Sequence, residues 1–407
     1  MSHPVTSDSA LRHQILIRFS PQTTRADMFT SSLRAPPVEF QRGICQDLAP
    51  ILASCQLKRV VIVHGTLRTR VQSVIEQIRQ TIDVVAQIEV HDEPSLPALE
   101  RHLQGFQGLV VDGLIAIGGG SVLDMTKALA GLIPAKHPVM TYLEVVGDGR
   151  ALEQQPLPWI AIPTTAGTGS EMTKNAVIDI PDAQRKVSLR DSKLLPAIAL
   201  VDPAFTDDTP KAVTLACGLD AVTQCIEPYL SNKRSFLTDS LVEPVIPRAL
   251  QALHRLMSQE TSEDRDTLAY TSMIGGVALA NSGLGVVHGF AGPLGSVTGA
   301  AHGAICGALL PYGLKVNRHF ADDPIVIQRL DQIANWIIPI FGGMKADAFD
   351  TLAAWIADQG ITGLASLGLK EVDIRAVATA SQASSSMKAN PVALPFEALV
   401  SVLEEAL

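Results

Sequence analysis

Between residues 59 and 201, short apolar runs alternate with segments of helical spacing, and this alternation restricts the possible folds more than any other feature. Arg59–His64 reads RVVIVH, a continuous run rich in β-branched residues, the pattern of a parallel strand buried on both faces. Residues 67–82 then carry helical spacing, 84–90 alternate like a strand, 95–106 read as a helix and 114–117 as another apolar strand. Strands and helices alternating at this pitch predict a parallel sheet with helices on both faces. Strands are also expected at 159–162 and 197–201, with a hairpin at 175–180 and 186–189. Beyond Asp202 the pattern changes. Residues 210–230, 239–258, 264–280, 325–341 and 346–367 are long and helical in spacing, with further helices at 372–380 and 395–407. The expected fold is therefore an α/β N-terminal domain with a parallel sheet over residues 1–202, followed by an all-α C-terminal domain over residues 203–407. Residues 1–35 are poorly patterned and read as an arm, with one strand at 14–19.

A chain of 407 residues that is 47% hydrophobic can bury a large core, which excludes wholesale disorder. A net charge of −9 without a long basic run argues against nucleic acid and for a small-molecule substrate. The five cysteines, Cys45, Cys55, Cys217, Cys225 and Cys306, are scattered and odd in number, as expected of reduced thiols in a cytoplasmic protein. The N-terminus lacks the apolar run of a signal peptide, and no segment approaches ~18 uninterrupted apolar residues, so no membrane span is expected.

Two loops carry cofactor chemistry. The strand at 114–117 runs into Gly118-Gly119-Gly120-Ser121-Val122-Leu123-Asp124, where glycines permit a tight turn and close approach to a ligand. Ser121 is predicted to cap the following helix, with Asp124 completing a capping box and the first amides facing a phosphate. The strand WIAI likewise ends in Pro163, and Thr164, Thr165, Thr168 and Ser170 follow in a loop kept adaptable by Gly167 and Gly169. Hydroxyls and amides at the carboxyl end of a strand suit a dinucleotide's ribose and phosphates.

A third stretch, residues 284–317, holds His288 and His302 in surroundings whose only formal charge is Lys315. Buried imidazoles need partners, because an unsatisfied buried polar group costs about 1–3 kcal/mol. Asp220 and Gln224, four apart and so on one face of a predicted helix, are candidates. One carboxylate, one amide and two imidazoles together read as a metal or acid–base centre. The stretch is expected to form a central helix of the second domain.

These segments resemble the iron-dependent (group III) alcohol dehydrogenase family. GGGSVLDMTK, PTTAGTGSEMT, GLDAVTQCIEPYLS and GLGVVHGFAGPLGSVTGAAHG are similar, in family order, to its cofactor loop, threonine-rich segment, metal helix and histidine element. The resemblance implies that Gly119, Gly120 and Ser121, with Asp124 in the same motif, hold the pyrophosphate. It implies too that Thr164, Thr165 and Thr168 line the cofactor cleft and that Lys186 bonds the nicotinamide ribose. Asp220, His288 and His302 match three of four metal ligands and are the catalytic candidates. Gln224 stands where the family has its remaining histidine, and Gly292 where it has a proton-relaying one. A neutral amide is a weaker donor than imidazole, so the divalent metal, iron or zinc, is expected to be weakly held or lost. His64-Gly65 follow the strand where NAD-selective members carry an aspartate, and Arg68 can pair with a 2′-phosphate, so the cofactor is NAD or NADP.

The implied activity is interconversion of a small alcohol and its aldehyde or ketone by metal-assisted hydride transfer, in a homodimer. Alternatives are a metal-independent reductase of the maleylacetate reductase type, a dehydroquinate-synthase-like lyase and a non-catalytic nucleotide sensor. Net, transient or absent change in nicotinamide absorbance separates the dehydrogenase, lyase and sensor readings.

Overall fold

The structure, a computed structural model, describes residues 32–407 apart from Gln184. The strand expected at 14–19 and most of the expected arm lie outside the described residues. The strands are β1 (Val38–Phe40), β2 (Arg59–His64), β3 (Asp83–Glu89), β4 (Gly113–Gly118), β5 (Trp159–Pro163), β6 (Asn175–Ile180), β7 (Arg185–Arg190) and β8 (Ile198–Val201). The first half also holds helices α1 (Ala49–Ser54), α2 (Thr69–Thr81), α3 (Leu96–Gly105) and α4 (Gly120–Leu132). Helices α5 (Lys211–Leu230), α6 (Phe236–Val242), α7 (Ile246–Leu256), α8 (Ser262–Ser282) and α9 (Val286–Thr298) follow. The chain ends with α10 (His302–Phe320), α11 (Pro324–Phe341), α12 (Ala348–Asp358), α13 (Ile374–Gln382) and α14 (Phe396–Glu405).

Six strands form one parallel sheet in the order β1-β8-β5-β4-β2-β3, while β6 and β7 make a separate antiparallel hairpin. β2, β4 and β5 are buried on both faces, which explains their unbroken apolar sequence. Alternate side chains enter different cores. Val60 and Ile62 pack with α1 and α2 residues such as Leu52 and Ile75 on one face. Val61 and Val63 pack with α3 and α4 residues such as Leu99 and Leu129 on the other. Each such side chain contributes about 1.5–3 kcal/mol on burial. The second core continues into the helical half as far as Ala406, so one apolar interior joins the sheet to the helices.

The register aligns the strands' carboxyl ends. His64 pairs with Ile117, and Gly118 with Pro163, so the loops starting at residues 65, 119 and 164 share one rim. The order of strands reverses between β2 and β4, and an open parallel sheet binds ligands at such a switch point.

Three helical expectations are corrected. Of residues 346–367 only Ala348–Asp358 form an α-helix, because Gly360 and Gly363 take positive φ (111° and 130°) and turn the chain away. Residues 239–258 do not form one helix: α6 ends at Val242 and α7 starts at Ile246, with Pro244 in the break and Pro247 in the first turn of α7. A proline inside a helix removes a hydrogen bond and clashes with the preceding turn. Residues 284–317 likewise form two helices, because Gly299 takes a left-handed conformation (φ 68°) that ends α9. The consequence is functional: His302 becomes the first residue of α10 and meets His288 across a helix junction. No single helix among the described residues is long and apolar enough to cross a membrane.

Candidate active site

The glycine loop and the threonine loop lie against each other. A Cβ on Gly119 would come within 3.1 Å of the Thr165 side chain, and one on Gly120 within 3.0 Å of that of Thr168. The capping box predicted from Ser121 and Asp124 is not formed. Gly119 is the N-cap, no side chain caps α4, and Ser121 sits inside the first turn. Asp124 has better partners. One oxygen accepts from Ser170 Oγ at 2.5 Å and lies 3.0 Å from Lys127 Nζ, and the other accepts from the Val177 amide at 2.9 Å. The uncapped first-turn amides of α4 are thus left for another acceptor, and such a helix start favours an anion.

Lys127 is fully buried and does not reach the rim. Its ammonium donates to Ser170 Oγ (2.7 Å), Thr173 Oγ1 (2.8 Å) and the Asn175 carbonyl (2.6 Å). Burial lowers its pKa against the opposing pull of Asp124 and Glu171, and burial pushes the Glu171 carboxyl up to about 7. This network ties α4 to the segment that ends the threonine loop. That loop is also clamped from the helical half. Gly169 has φ 57°, and a Cβ there would lie 2.3 Å from the Ser272 carbonyl oxygen on α8. Only glycine fits.

His64 ends β2 with its ring buried. Nδ1 donates to the Gly65 carbonyl (2.7 Å), because that oxygen can only accept, so Nε2 accepts from the Gln87 amide (2.6 Å). Protein groups therefore occupy both ring nitrogens. Gly65 faces more room: a Cβ there would touch only Val122 at 3.6 Å and the Val90 carbonyl at 3.8 Å. Arg68 is exposed. Thr164 is half-buried at the rim. Lys186, on β7, pairs with Glu93 at 2.7 Å, and its Nζ lies 3.1 Å from where a Cβ on Gly295 of α9 would stand.

The structure brings Asp220, His288 and His302 together. His288 Nε2 is 3.2 Å and His302 Nε2 3.7 Å from Asp220 Oδ1, with the ring centroids 5.4 Å apart. Asp220 and His288 are buried, while the His302 side chain is 40% exposed and forms the accessible side of the cluster. Burial alone would raise the Asp220 pKa, but the facing His302 and His288 charges bring it below the usual carboxylate range. The Cys306 sulfur, then Asp220, holds the His302 imidazolium, with its pKa raised to about 9. Burial opposes charge on His288, yet Cys306, Glu227 and Asp220 together lift its pKa well above the ordinary value.

Two residues here were missed in reading the sequence for partners of the histidines. Glu227, seven residues after Asp220 on α5, accepts from His288 Nδ1 at 2.7 Å and from the Val287 amide at 2.7 Å. Its carboxylate therefore sits at the N-terminus of α9 and leaves His288 Nε2 directed at Asp220. The i, i+7 spacing from Asp220 was available as a signal. Cys306, four residues after His302 on α10, stands in an apolar sequence that reads as the setting of a core thiol. Its sulfur lies 3.6 Å from His302 Nε2. Gln224 stands one turn from Asp220 as expected, but its amide nitrogen donates to the Gly167 carbonyl at 2.7 Å, linking α5 to the threonine loop. At Gly292 a Cβ would meet nothing within 4 Å, so this position adds space rather than a functional group.

The donor set suits a divalent transition metal. Ligand atoms of Asp220, His288, His302 and Cys306 all lie within 4.8 Å of one another, and this mix of carboxylate, imidazole and thiol is chemistry that zinc and iron accept.

Comparison with known proteins agrees with this arrangement. The iron-containing alcohol dehydrogenase profile matches residues 35–203, and the C-terminal profile of the Fe-containing alcohol dehydrogenase family matches residues 214–407. Lactaldehyde reductase of Escherichia coli (strain K12) is 30% identical over 322 residues, covering 77% of this chain and 81% of that protein. NAD-dependent methanol dehydrogenase of Bacillus methanolicus is 28% identical over 401 residues, covering 91% and 98%. The solved structure of an alcohol dehydrogenase from Oenococcus oeni has a TM-score of 0.82 at 25% identity, covering 93% of this chain and 100% of that one. A parallel sheet with two apposed loops at its rim, facing a helical half that gathers a carboxylate and two imidazoles, belongs with these matches: the chain is a member of the iron-containing alcohol dehydrogenase family, an oxidoreductase that interconverts an alcohol and its carbonyl compound.

Proposed function

We propose that the rim formed by residues 65, 119–121 and 164–168 binds a nicotinamide dinucleotide and that Asp220, His288 and His302 act on the substrate oxygen beside it. The observation that carries this reading is the direct join between the two parts, where Gln224 of α5 donates to Gly167 of the threonine loop. In this reading the uncapped amides of Gly120 and Ser121 take the pyrophosphate, and Thr164, Thr165 and Thr168 line the adjoining cleft. Asp124 acts as a positioning residue through Ser170 and Lys127 rather than touching phosphate. Lys186, reaching α9 from the hairpin, is placed to donate to the nicotinamide ribose. A divalent metal, iron or zinc, held by Asp220, His288 and His302, supplies Lewis-acid polarisation of the alcohol or carbonyl oxygen. Glu227 fixes the His288 ring, Asp220 contributes negative charge, and His302 on the accessible side orients the substrate oxygen.

The phosphate assignment has a direct test. Gly120→Val places branched carbons where the Thr168 side chain and the pyrophosphate both need space. The dissociation constant for the cofactor, measured by titration calorimetry, is expected to rise at least about 100-fold, or ~2.7 kcal/mol, while the circular dichroism spectrum stays unchanged. Unaltered affinity would remove the loop from the site.

Cofactor choice follows from the end of β2. No carboxylate stands at residues 64–68 to repel a 2′-phosphate or bind a 2′-hydroxyl, so the enzyme is expected to accept NADP(H) as well as NAD(H). Because the His64 ring is engaged on both nitrogens, the informative substitution is the neighbour with free space. Gly65→Asp should shift the ratio of kcat/KM values towards NAD by about 1–3 kcal/mol, the range for a charge-assisted contact. A wild-type enzyme confined to NAD would contradict this reading. The expected assembly is a homodimer.

A further inference from the structure

The metal reading above uses three protein donors, and a bound transition metal with N, O and S ligands commonly takes four. We propose that Cys306, as a thiolate, is the fourth ligand, so that this chain carries an Asp–His–His–Cys centre in which Gln224 takes no part. The proposal rests on the metal reading and goes beyond it in naming the donor and the metals it selects.

Geometry is the first support. Cys306 follows His302 by one turn of α10, so the two side chains share a face. With metal–sulfur and metal–imidazole bonds of about 2.3 and 2.0–2.1 Å, a tetrahedral centre separates sulfur from nitrogen by roughly 3.6 Å. The distance from Cys306 Sγ to His302 Nε2 is 3.6 Å. The same construction puts nitrogen and carboxylate oxygen roughly 3.3 Å apart. The two distances to Asp220 Oδ1 are 3.2 and 3.7 Å. Three of the six edges thus have tetrahedral length, and all four donor atoms lie within 4.8 Å of one another.

The fate of the competing donors is the second support. The amide nitrogen of Gln224 is held by the Gly167 carbonyl, which fixes the side chain against the threonine loop, and its oxygen is a neutral and weaker donor than a thiolate. Cys225, one residue on, donates its thiol to the Thr271 carbonyl on α8 at 3.6 Å, and it does not join the donor group. Cys306 is fully buried, and among the described residues it is the cysteine whose sulfur lies within the cluster. On binding, its thiol proton leaves to solvent and a sulfur–metal bond replaces the S–H bond. A thiolate is a soft donor, so the site should favour zinc and cobalt(II) over manganese and magnesium.

The test uses the full-length protein stripped with a chelator and titrated with cobalt(II) alone. Wild type is expected to develop a thiolate-to-cobalt charge-transfer band in the near ultraviolet at one equivalent. Cys306→Ser and Cys306→Ala should both lose that band, and the zinc dissociation constant, measured by chelator competition, should rise at least tenfold in each. Cys217→Ser and Gln224→Ala should keep the band. Cobalt bound at one equivalent by wild type without a charge-transfer band would overturn the thiolate ligand and leave the three-donor reading standing. A band that survives both Cys306 substitutions would also overturn it. Wild type that binds no cobalt or zinc would defeat the three-donor reading and this proposal together.

Discussion

Asp220→Asn is expected to lower kcat/KM by about 10²–10³-fold, the cost of removing one preorganised group that stabilises developing charge. Asparagine has nearly the same shape, so the loss isolates charge from packing. Asp220 is buried and meets both His288 and His302 through one oxygen. Its pKa lies below the usual carboxylate range because the imidazoles outweigh the effect of burial, so it is anionic across the neutral range. Removing that charge should weaken both functions assigned to it. Metal retention during dialysis, measured by elemental analysis, should fall by more than the 10–100-fold typical of groups behind the ligands. Activity measured with saturating added zinc or iron should recover only in part. A variant that holds its metal and keeps activity within a few-fold of wild type would show that Asp220 is a structural carboxylate.

The second large effect is on stability, and it lies away from the metal. Lys127→Met keeps the length and apolar stem of a fully buried side chain but removes the ammonium shared by Ser170, Thr173, Asn175 and Asp124. Breaking a buried pair by deleting one partner typically costs about 3–5 kcal/mol, because the remaining charge has lost its compensation. A loss of that size is expected in urea unfolding with an unchanged slope. Cofactor affinity should fall too, since the network holds α4 against the threonine loop. Adding Asp124→Asn to Lys127→Met should cost less than the two single changes combined, as coupled neighbours do. A loss below 1 kcal/mol, or strict additivity, would mean that the network does not join the two loops.

Local pattern carried the sheet apart from its short edge strand β1, which no apolar run marks. Arg59–His64 and Asn175–Ile180 run between the residues expected, because a strand buried on both faces has to be apolar throughout and a hairpin strand has to alternate. The two cofactor loops were legible for the same reason: glycine and threonine clusters at strand ends have few local alternatives. Asp220, His288 and His302 were legible as a set because charged and imidazole groups are scarce in that part of the chain.

Other features depend on partners distant in sequence. Asp124 has the spacing of a capping residue, yet it turns inward because Lys127, Ser170 and the Val177 amide are stronger partners than the end of its own helix. The His64 ring is held by Gln87 across the β2–β3 pair, which moves the cofactor test to Gly65. The break at Gly299 depends on one backbone conformation, and it lets α10 begin at His302 with Cys306 on the same face. Gln224 and Cys306 are both near a histidine or carboxylate in sequence, so spacing does not choose between them as donors. The fold turns the Gln224 amide towards Gly167, 57 residues away, and sets the Cys306 sulfur beside His302. Residue types and local periodicity thus determined the elements and most of the reacting groups. Which polar group faces which was decided only in the tertiary structure, because a buried donor or acceptor takes the best partner that packing brings within reach.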